Sequence, residues 1–546
     1  MSPAGASPLT VHMIGGCGAF GRNCLALEQD GEAVIVDCGS QFPAETAFDV
    51  SCLIPHPERL WEHVPRPLAY LLTHGHEDHV GALPHLLAHA PAPVHGTPFT
   101  LGLVAERWAA LPPAIRRASP LVELVPGRRV ALSERIAFTA LPVAHSILQA
   151  TALVLELPAG AVVHTGDFKL AGDDAWRLEL DALAKLAPEP LLVLADSTGA
   201  CNDDETPPEA ALAGRVRELV ADAPGRLFVT VFSSHVARMR AFLAAGAAFG
   251  RQGAALGRSM ERTTATARDL GLLPEANFTT CDEVVRLPPE RQLFFVSGSQ
   301  GENASAMDRL SLGQNPRLVP GPGDTVVFSV STIPGRELPV SQLIDRLLER
   351  GATVRVHTAE APTHVSGHGS APELARLYEA LRPRAVIPVH GSLRYLQAGL
   401  ALARASGAEA FWCPDGHRAV HEAGAWRVEP VPGLDEVLCL ENPQDGPVCA
   451  GSLRERRRLA ITGAVFVSCA VDRRGRPKAA GLQVSLMGIA RLDDHPALSE
   501  GCARAILAAA PEDGDEAPER TIELAVRRFF KSGTGKKPQV VVHLIH

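Results

Sequence analysis

The sequence predicts an α/β protein whose first part is a sandwich of sheets covered by helices, with functional loops gathered at one edge. One observation is the rhythm of short apolar runs and Gly-rich turns from Leu9 to about Ser197. Val34-Ile35-Val36 precedes Asp37-Cys38-Gly39, Ala152-Leu153-Val154-Leu155 precedes Pro158, and Leu191-Leu192-Val193-Leu194 precedes Asp196. Runs this short, bounded by turn formers, read as strands, and only some are separated by helical patterns. The other observation is where the chemistry-bearing residues fall. Leu68-Ala69-Tyr70-Leu71-Leu72 reads as a buried strand and Gly81 to Leu87 as the helix that follows, with Thr73-His74-Gly75-His76-Glu77-Asp78-His79 between them. That is a strand's carboxyl end, where α/β proteins place their sites.

His74, His76, Asp78 and His79 put four ligands on one short loop, enough for two metals to share it. Imidazole with carboxylate favours zinc or manganese over magnesium, and no Cys-x-x-Cys is present to close a thiolate site, so open, hydrolytic metal chemistry is expected. The alternative is a His-rich surface loop, since six of the 21 histidines fall between His74 and His95. A solvated loop needs no Asp78 in register between the imidazoles. Four ligands cannot fill two hydrolytic centres, so more are expected at later strand ends. The strand Ile136-Ala137-Phe138-Thr139 is followed by Pro142-Val143-Ala144-His145-Ser146. Ala161-Val162-Val163 leads to His164-Thr165-Gly166-Asp167, whose carboxylate can bridge, and Ala385 to Val389 leads to His390-Gly391-Ser392.

At 546 residues the chain is too long for one core, and its length predicts three or four domains. With 46% apolar and 21% charged residues it has an ordinary globular composition. No segment approaches the roughly 18 apolar residues of a membrane span, and Met1 to Gly5 lacks the basic and apolar parts of a leader, so the cytoplasm is expected and a membrane is not. The 11 cysteines are scattered and read as reduced, mostly buried thiols. A net charge of -9 argues against a general polyanion binder. Positive charge nevertheless collects at Arg454 to Arg458, Arg473 to Lys478 and Arg527 to Lys537, either as solvated surface or as a nucleic-acid patch.

A composition break at Asn202-Asp203-Asp204-Glu205-Thr206-Pro207-Pro208 opens a second α/β domain over about 209 to 350, with Phe228 to Phe232 and Leu293 to Val296 as buried parallel strands. Val431-Pro432-Gly433 and Asn442 to Pro447 mark a linker. Beyond it, strands at Ala464 to Val467 and Val540 to Val542 make a small C-terminal domain.

Together these are marks of the metallo-β-lactamase fold. More narrowly, Gly15 to Asn23, Val36 to Gly39, Thr73 to Pro84, Gly257 to Met260, Gly298 to Glu302, His364 to His368 and Pro388 to Gly391 resemble ribonuclease J, a family of bacterial β-CASP nucleases. The match runs from about residue 10 to the C-terminus, with Arg527-Arg528-Phe529-Phe530 near its end. Singly, His-x-His-x-Asp-His names only the superfamily; the ordered set is specific.

The resemblance implies an α/β protein made of a metallo-β-lactamase αββα sandwich (1–205 and 353–430), an inserted β-CASP α/β domain (206–352), a linker (431–455) and an α+β C-terminal domain (456–546). It implies that His74, His76 and His145 hold one divalent ion, Asp78, His79 and His390 the other, and that Asp167 bridges them, with zinc first and manganese second. Asp78 and His368 are expected to be catalytic, His368 as general acid held in its tautomer by Asp196. His364, Val365, Ser366, Gly367 and His368, with Ser233, Ser234 and Ser331, are expected to bind single-stranded RNA and its 5′-monophosphate. Gln300 and Arg258 are further nominations. The structural alternative for 364–368 is a Gly-rich turn capping the helix at Pro372-Glu373-Leu374.

The implied activity is 5′-to-3′ exonuclease and endonuclease cleavage in rRNA processing and mRNA decay, by homodimers or homotetramers. Some positions depart from the family pattern. Ser233-Ser234-His235 replaces Ala-Ser-Asn, Ser329-Val330-Ser331 a run of serines, Thr332 and Arg336 a Pro and an Asn, and Asn303 a Pro. None is a metal ligand; they bear on RNA contacts. A lactonase or thioesterase would use the same metal loops but not the inserted domain or the Ser366 region. A DNA-acting β-CASP nuclease differs only in sugar, and a metal-free RNA-binding relative would lack ligands, whereas all seven are present.

Overall fold

The computed structural model describes residues 7–43, 50–172, 176–274, 276–315, 317–333, 335–441, 447–448, 450–472, 475–489, 495–509 and 517–545. Met1 to Gly5, Asn442 to Gly446 of the expected linker, and Arg473-Arg474 of one basic cluster lie outside the described residues.

Two sheets stack face to face. The first has eight strands, in the order Ala425–Pro430, His417–Glu422, Leu9–Gly15, Cys24–Gln29, Glu32–Val36, Pro67–Leu71, Val94–Gly96, Leu121–Glu123. The second has seven: Glu409–Ala410, Ala385–Val389, Leu192–Asp196, Gly160–His164, Thr151–Leu157, Ala137–Pro142, Arg129–Ala131. Alternation along each strand divides its side chains between an inner and an outer core. Leu192 and Leu194 enter the inter-sheet core with Val11, Leu27, Val36 and Phe138, while Val193 and Ala195 face helices on the outer side. On the other outer face Ile35, Tyr70 and Leu72 meet Leu83, Leu86 and Leu87 of the helix Leu83–His89. The result is the expected αββα sandwich.

After Leu192–Asp196 the chain departs into the inserted domain and returns to lay Ala385–Val389 parallel beside the same strand, Asp196 opposite Val389. The insertion is built on an all-parallel five-stranded sheet, Gln252–Leu256, Gln292–Val296, Leu227–Thr230, Thr325–Phe328, Thr353–Arg355. Its central strands are buried on both faces and read as continuous apolar runs, as parallel sheets require. The inserted sheet extends past the expected boundary at 352, because Thr353–Arg355 pairs with Thr325–Phe328. That short edge strand has only its middle residue half-buried, so no apolar run announces it.

One compact unit takes Cys52–Leu438 with the N-terminal strands, and a second takes Cys439–His546. The described residues of the segment expected as a linker, 431–455, include packed and regular structure. Val431 and Leu434 are buried in the first unit's core, Val437–Leu440 is a strand, and the helix Ala450–Thr462 begins within it. Pro and Gly mark tight turns as readily as linkers, and here Pro432-Gly433 is a turn. In the second unit the helices His495–Leu507 and Pro518–Thr534 bury Cys502, Ile506, Ile522, Val526 and Phe530 against Val465, Val467 and Cys469 of a three-stranded sheet. There is no disulfide among the described residues and most thiols are buried. Among the described residues no helix is long and apolar enough to cross a membrane.

Candidate metal centre

The strand Pro67–Leu71 ends in the ligand loop, and a one-turn helix, Glu77–Val80, starts inside it with His76 at its N-cap. Asp78 and His79 therefore leave a tight turn toward the strand ends of both sheets. The turn is gripped from the neighbouring strand end. Asp37, at φ 58°, accepts from Thr73 N (2.8 Å), Thr73 Oγ1 (2.7 Å) and His79 Nδ1 (2.8 Å). Gly39 allows the approach: a Cβ there would lie 1.7 Å from the Asp78 carbonyl oxygen.

Seven side chains from four stretches of sequence converge into two clusters. In one, His74 Nε2 is 3.0 Å and His145 Nε2 3.3 Å from His76 Nδ1, and both are 3.7 Å from Asp167 Oδ2. In the other, Asp78 Oδ2 is 3.3 Å from His390 Nε2 and 3.7 Å from His79 Nε2, with Asp167 Oδ2 3.3 Å from His79 Nε2 and 3.4 Å from His390 Nε2. Ligands about 2.0–2.1 Å from a tetrahedral ion stand about 3.3–3.4 Å apart, close to these separations. One oxygen, Asp167 Oδ2, belongs to both clusters.

The outward nitrogens test whether a cation fits. His74 Nδ1 meets Thr73 Oγ1 (3.0 Å), His145 Nδ1 the Gly367 carbonyl (2.7 Å), His76 Nε2 Ser234 Oγ (2.9 Å), His79 Nδ1 Asp37, and His390 Nδ1 Thr198 Oγ1 (2.6 Å). Each imidazole can thus donate outward and turn a lone pair inward, the arrangement of metal-ligating histidines. At His79 and His390 a divalent ion would take the place of the protons that those rings otherwise hold against Asp167 and Asp78. Burial pushes His74 and His145 well down and His76 to about 4, favouring the neutral, ligating form. Burial opposes charge on Asp78 and Asp167 too, but His79 and His390 overcome it and hold both carboxyls well below the usual range. Burial likewise disfavours protonated His390, yet Asp167 and Asp78 raise it to about 9. This half of the site holds two ionised carboxylates whose charge a divalent ion would balance in place of the protonated imidazoles.

His368 stands beside both clusters, its ring stacked on His390 at 5.2 Å and edge-on to His145 at 5.0 Å. Its Nδ1 donates to buried Asp196 Oδ2 at 2.8 Å, leaving Nε2 free for proton transfer. Burial pulls His368 down, but Asp196 outweighs it and the net shift is upward.

The other expected site residues divide. Gly367 orients His145 through its carbonyl, and Lys169 Nζ donates to the Ser366 carbonyl and to that of Pro207, each at 3.0 Å. Ser366 Oγ accepts from His368 N at 3.0 Å. The helix Ala371–Leu381 is capped by a Ser370–Glu373 box, so the 364–368 turn is not needed for capping. Val365 is buried in the outer core. His364 lies near His357 and His235, at 5.8 and 6.5 Å, and is pushed to about 2 by burial and Arg238. Ser233 is half-buried, and Ser331 and Arg258 are exposed. Gln300 is buried, donating to the Ser331 carbonyl and accepting from Ile333 N, which shapes a loop of the inserted domain. Sequence reasoning passed over Asp37, Thr198 and Asn23, whose Nδ2 lies 3.1 Å from Asp78 Oδ2. Asp37 and Asn23 sit in quoted motifs but look like turn residues, because their partners are distant in sequence.

Comparison with known proteins follows the same division. Residues 17–197 match the metallo-beta-lactamase superfamily, 224–347 the ribonuclease J beta-CASP domain, 353–412 the Zn-dependent metallo-hydrolase RNA specificity domain, and 451–546 the ribonuclease J C-terminal domain. The ribonuclease J of Thermus thermophilus is 32% identical, over 97% of this chain and 93% of that protein. This chain belongs to the ribonuclease J family. The ribonuclease J of Sinorhizobium meliloti is 32% identical over 97% of this chain and 96% of that protein, and that of Mycobacterium tuberculosis 37% over 74% and 73%. A crystal structure of an Enterococcus faecalis protein of unknown function shares the fold at TM-score 0.54 and 16% identity, covering 76% of this chain and 100% of that one. As a family member the chain has a metallo-β-lactamase domain with a β-CASP insertion and a C-terminal domain, and its His/Asp clusters suit a metal site.

Proposed function

We propose that this chain, a metal-dependent ribonuclease, hydrolyses single-stranded RNA at a two-ion centre, as a 5′-to-3′ exonuclease preferring a 5′-monophosphate and as an endonuclease. The observation that carries this reading is Asp167 Oδ2 lying 3.3 to 3.7 Å from four imidazole nitrogens drawn from both clusters. His74, His76 and His145 hold one ion and Asp78, His79 and His390 the other, zinc first and manganese second. When bound, the ions supply a water nucleophile at neutral pH and neutralise charge at the phosphoryl oxygens.

The chain's own residues do the rest. His368 holds a proton at Nε2 and delivers it to the departing ribose 3′-oxygen. Asp196 keeps Nδ1 protonated and the ring aimed. Lys169 holds the Ser366 carbonyl and so fixes the 364–368 turn, whose half-buried Ser366 hydroxyl is the group offered to a phosphate. Ser233 and Ser331 line the approach on the inserted domain. The chain works in the cytoplasm in RNA maturation and decay, as a homodimer or homotetramer.

A time course on end-labelled RNA bearing 5′-phosphate, triphosphate or hydroxyl tests this, with Asp78→Ala and Asp167→Ala as controls. Release of mononucleotides fastest from the 5′-phosphate, abolished in both variants, is expected. DNA of the same sequence cut as fast, or a lactone hydrolysed faster than RNA, would sink the reading.

A further inference from the structure

Of the five imidazoles in the two clusters, four have their outward nitrogen held by the lactamase domain itself, through Thr73, Gly367, Asp37 and Thr198. His76 is different. Its Nε2 reaches Ser234 Oγ at 2.9 Å, on the loop that follows the inserted-domain strand Leu227–Thr230. His76 is also only half-buried, whereas His74, His145, His79 and His390 are buried. Its orientation has the least support from packing.

The loop that offers Ser234 is itself pinned. His235 caps the helix Val236–Ala248, and fully buried Arg238 in its first turn pairs with Glu209 at 2.7 Å. Arg238 also donates to Ser329 Oγ (2.7 Å) and the Thr363 carbonyl (2.6 Å). A second tie lies one residue along the metal loop. Glu77, clamped by Arg107 at 2.9 and 3.1 Å, is 3.7 Å from Arg262 of the inserted domain's helix Arg258–Asp269. The insertion thus touches the ligand loop at consecutive residues, once with a hydroxyl on a ligand and once with a charge beside it.

We propose that Ser234 is a positioning residue for His76: by accepting the Nε2 proton it holds the ring with Nδ1 facing the first cluster, so that ion retention there depends on the inserted domain being seated. A serine side chain is short, so a shift of the loop by about an ångström takes the contact beyond hydrogen-bond range. Loss of an outer partner typically costs about 10- to 100-fold in metal affinity. Ser234, expected from the family resemblance to bind RNA, then has a prior engagement, and the inserted domain takes part in building the centre as well as in holding substrate.

The proposal rests on His76 being a ligand, and the experiment separates the two. Full-length wild type, Ser234→Ala, Ser234→Thr and His76→Ala are loaded with zinc, dialysed against graded chelator, and assayed for bound metal by mass spectrometry. Thermal unfolding of the apo proteins verifies folding. Ser234→Ala should release one ion at about 10- to 100-fold lower chelator strength and keep the other as wild type does. Ser234→Thr, which retains a hydroxyl, should restore the first. Cobalt substitution gives a second readout, a change in the visible bands of one site only. If His76→Ala sheds an ion while Ser234→Ala retains both at wild-type affinity, or if Ser234→Thr fails to restore what Ser234→Ala loses, the proposal is overturned. If His76→Ala keeps both ions, the ligand assignment falls instead.

Discussion

Replacing His368 by Ala should separate protonation of the leaving group from metal binding. The ring donates through Nδ1 to Asp196, stacks on the His390 ring and meets the His145 ring edge-on, so its removal takes no atom from either cluster. General acid catalysis is worth about 10²- to 10⁴-fold, or about 3 to 5 kcal/mol of transition-state stabilisation. Turnover of RNA should fall by that much at unchanged metal content. A phosphodiester whose leaving group is p-nitrophenolate needs no proton, so on it the variant should lose less than about tenfold.

The pH dependence has a defined sign. His368 is raised above its ordinary value because Asp196 outweighs burial, and the acid form is the active one. Activity should therefore be present below the raised value and fall as pH rises through it. Asp196→Asn removes the carboxylate and leaves burial, which moves that limb to lower pH when both proteins carry the same metal load. The assay is kcat/KM against pH for wild type, His368→Ala and Asp196→Asn, with metal measured at each point. Equal losses on RNA and on the nitrophenyl ester, or a limb that stays put in Asp196→Asn, would refute the reasoning.

Asp167→Asn weakens the one oxygen shared by both clusters and should lower affinity for both ions, whereas His145→Ala should lower it for one; titration calorimetry with zinc distinguishes them. Gly39→Ala sets a Cβ 1.7 Å from the Asp78 carbonyl oxygen, so it should cost about 1–3 kcal/mol and displace the second cluster, read as a lower Tm together with lost metal. Glu209→Gln leaves Arg238 buried without its counter-charge and should cost about 3–5 kcal/mol in urea unfolding. Burial opposes charge on Glu209, but His235 and Arg238 win and its carboxyl is held well below the usual range. Its stabilisation is therefore present above the unfolded value of about 4.3 and lost as pH falls toward the folded one, so Glu209→Gln should flatten the acid limb of stability against pH.

The convergence of these side chains was legible because the candidate ligands follow strands. His74 to His79, His145, Asp167 and His390 each come directly after an apolar run, and local pattern marks both run and ligand. What holds these side chains was less visible. Asp37, Thr198 and Ser234 act on imidazoles far away in sequence, through single hydrogen bonds that no local pattern encodes. Gln300 shows the converse: it stands in a Gly-rich motif that reads as a binding loop, yet it is buried and spends its amide on the backbone of 331–333. The overrun of the inserted sheet into 353–355 was hidden for a related reason, since a short, exposed edge strand has too few buried side chains to leave a pattern.

The place of the insertion has a physical consequence of its own. Gly160–His164, Leu192–Asp196 and Ala385–Val389 are adjacent parallel strands, and Asp167, Asp196 and His390 lie at or just beyond their carboxyl ends. The chain leaves for the inserted domain after the second of these strands and comes back on the third, so both crossings begin or end beside the candidate metal centre. An insertion at the opposite strand ends would have left the site uncovered. Here the return path itself carries Gly367 to His145 and His368 to Asp196. Displacing the inserted domain pulls on the segment that holds His145 and carries His368, so if these act as proposed, variants that loosen its seat, such as Arg262→Ala at the Glu77 contact, should lower kcat as well as raise KM for RNA. A change confined to KM would mean that the insertion only holds substrate.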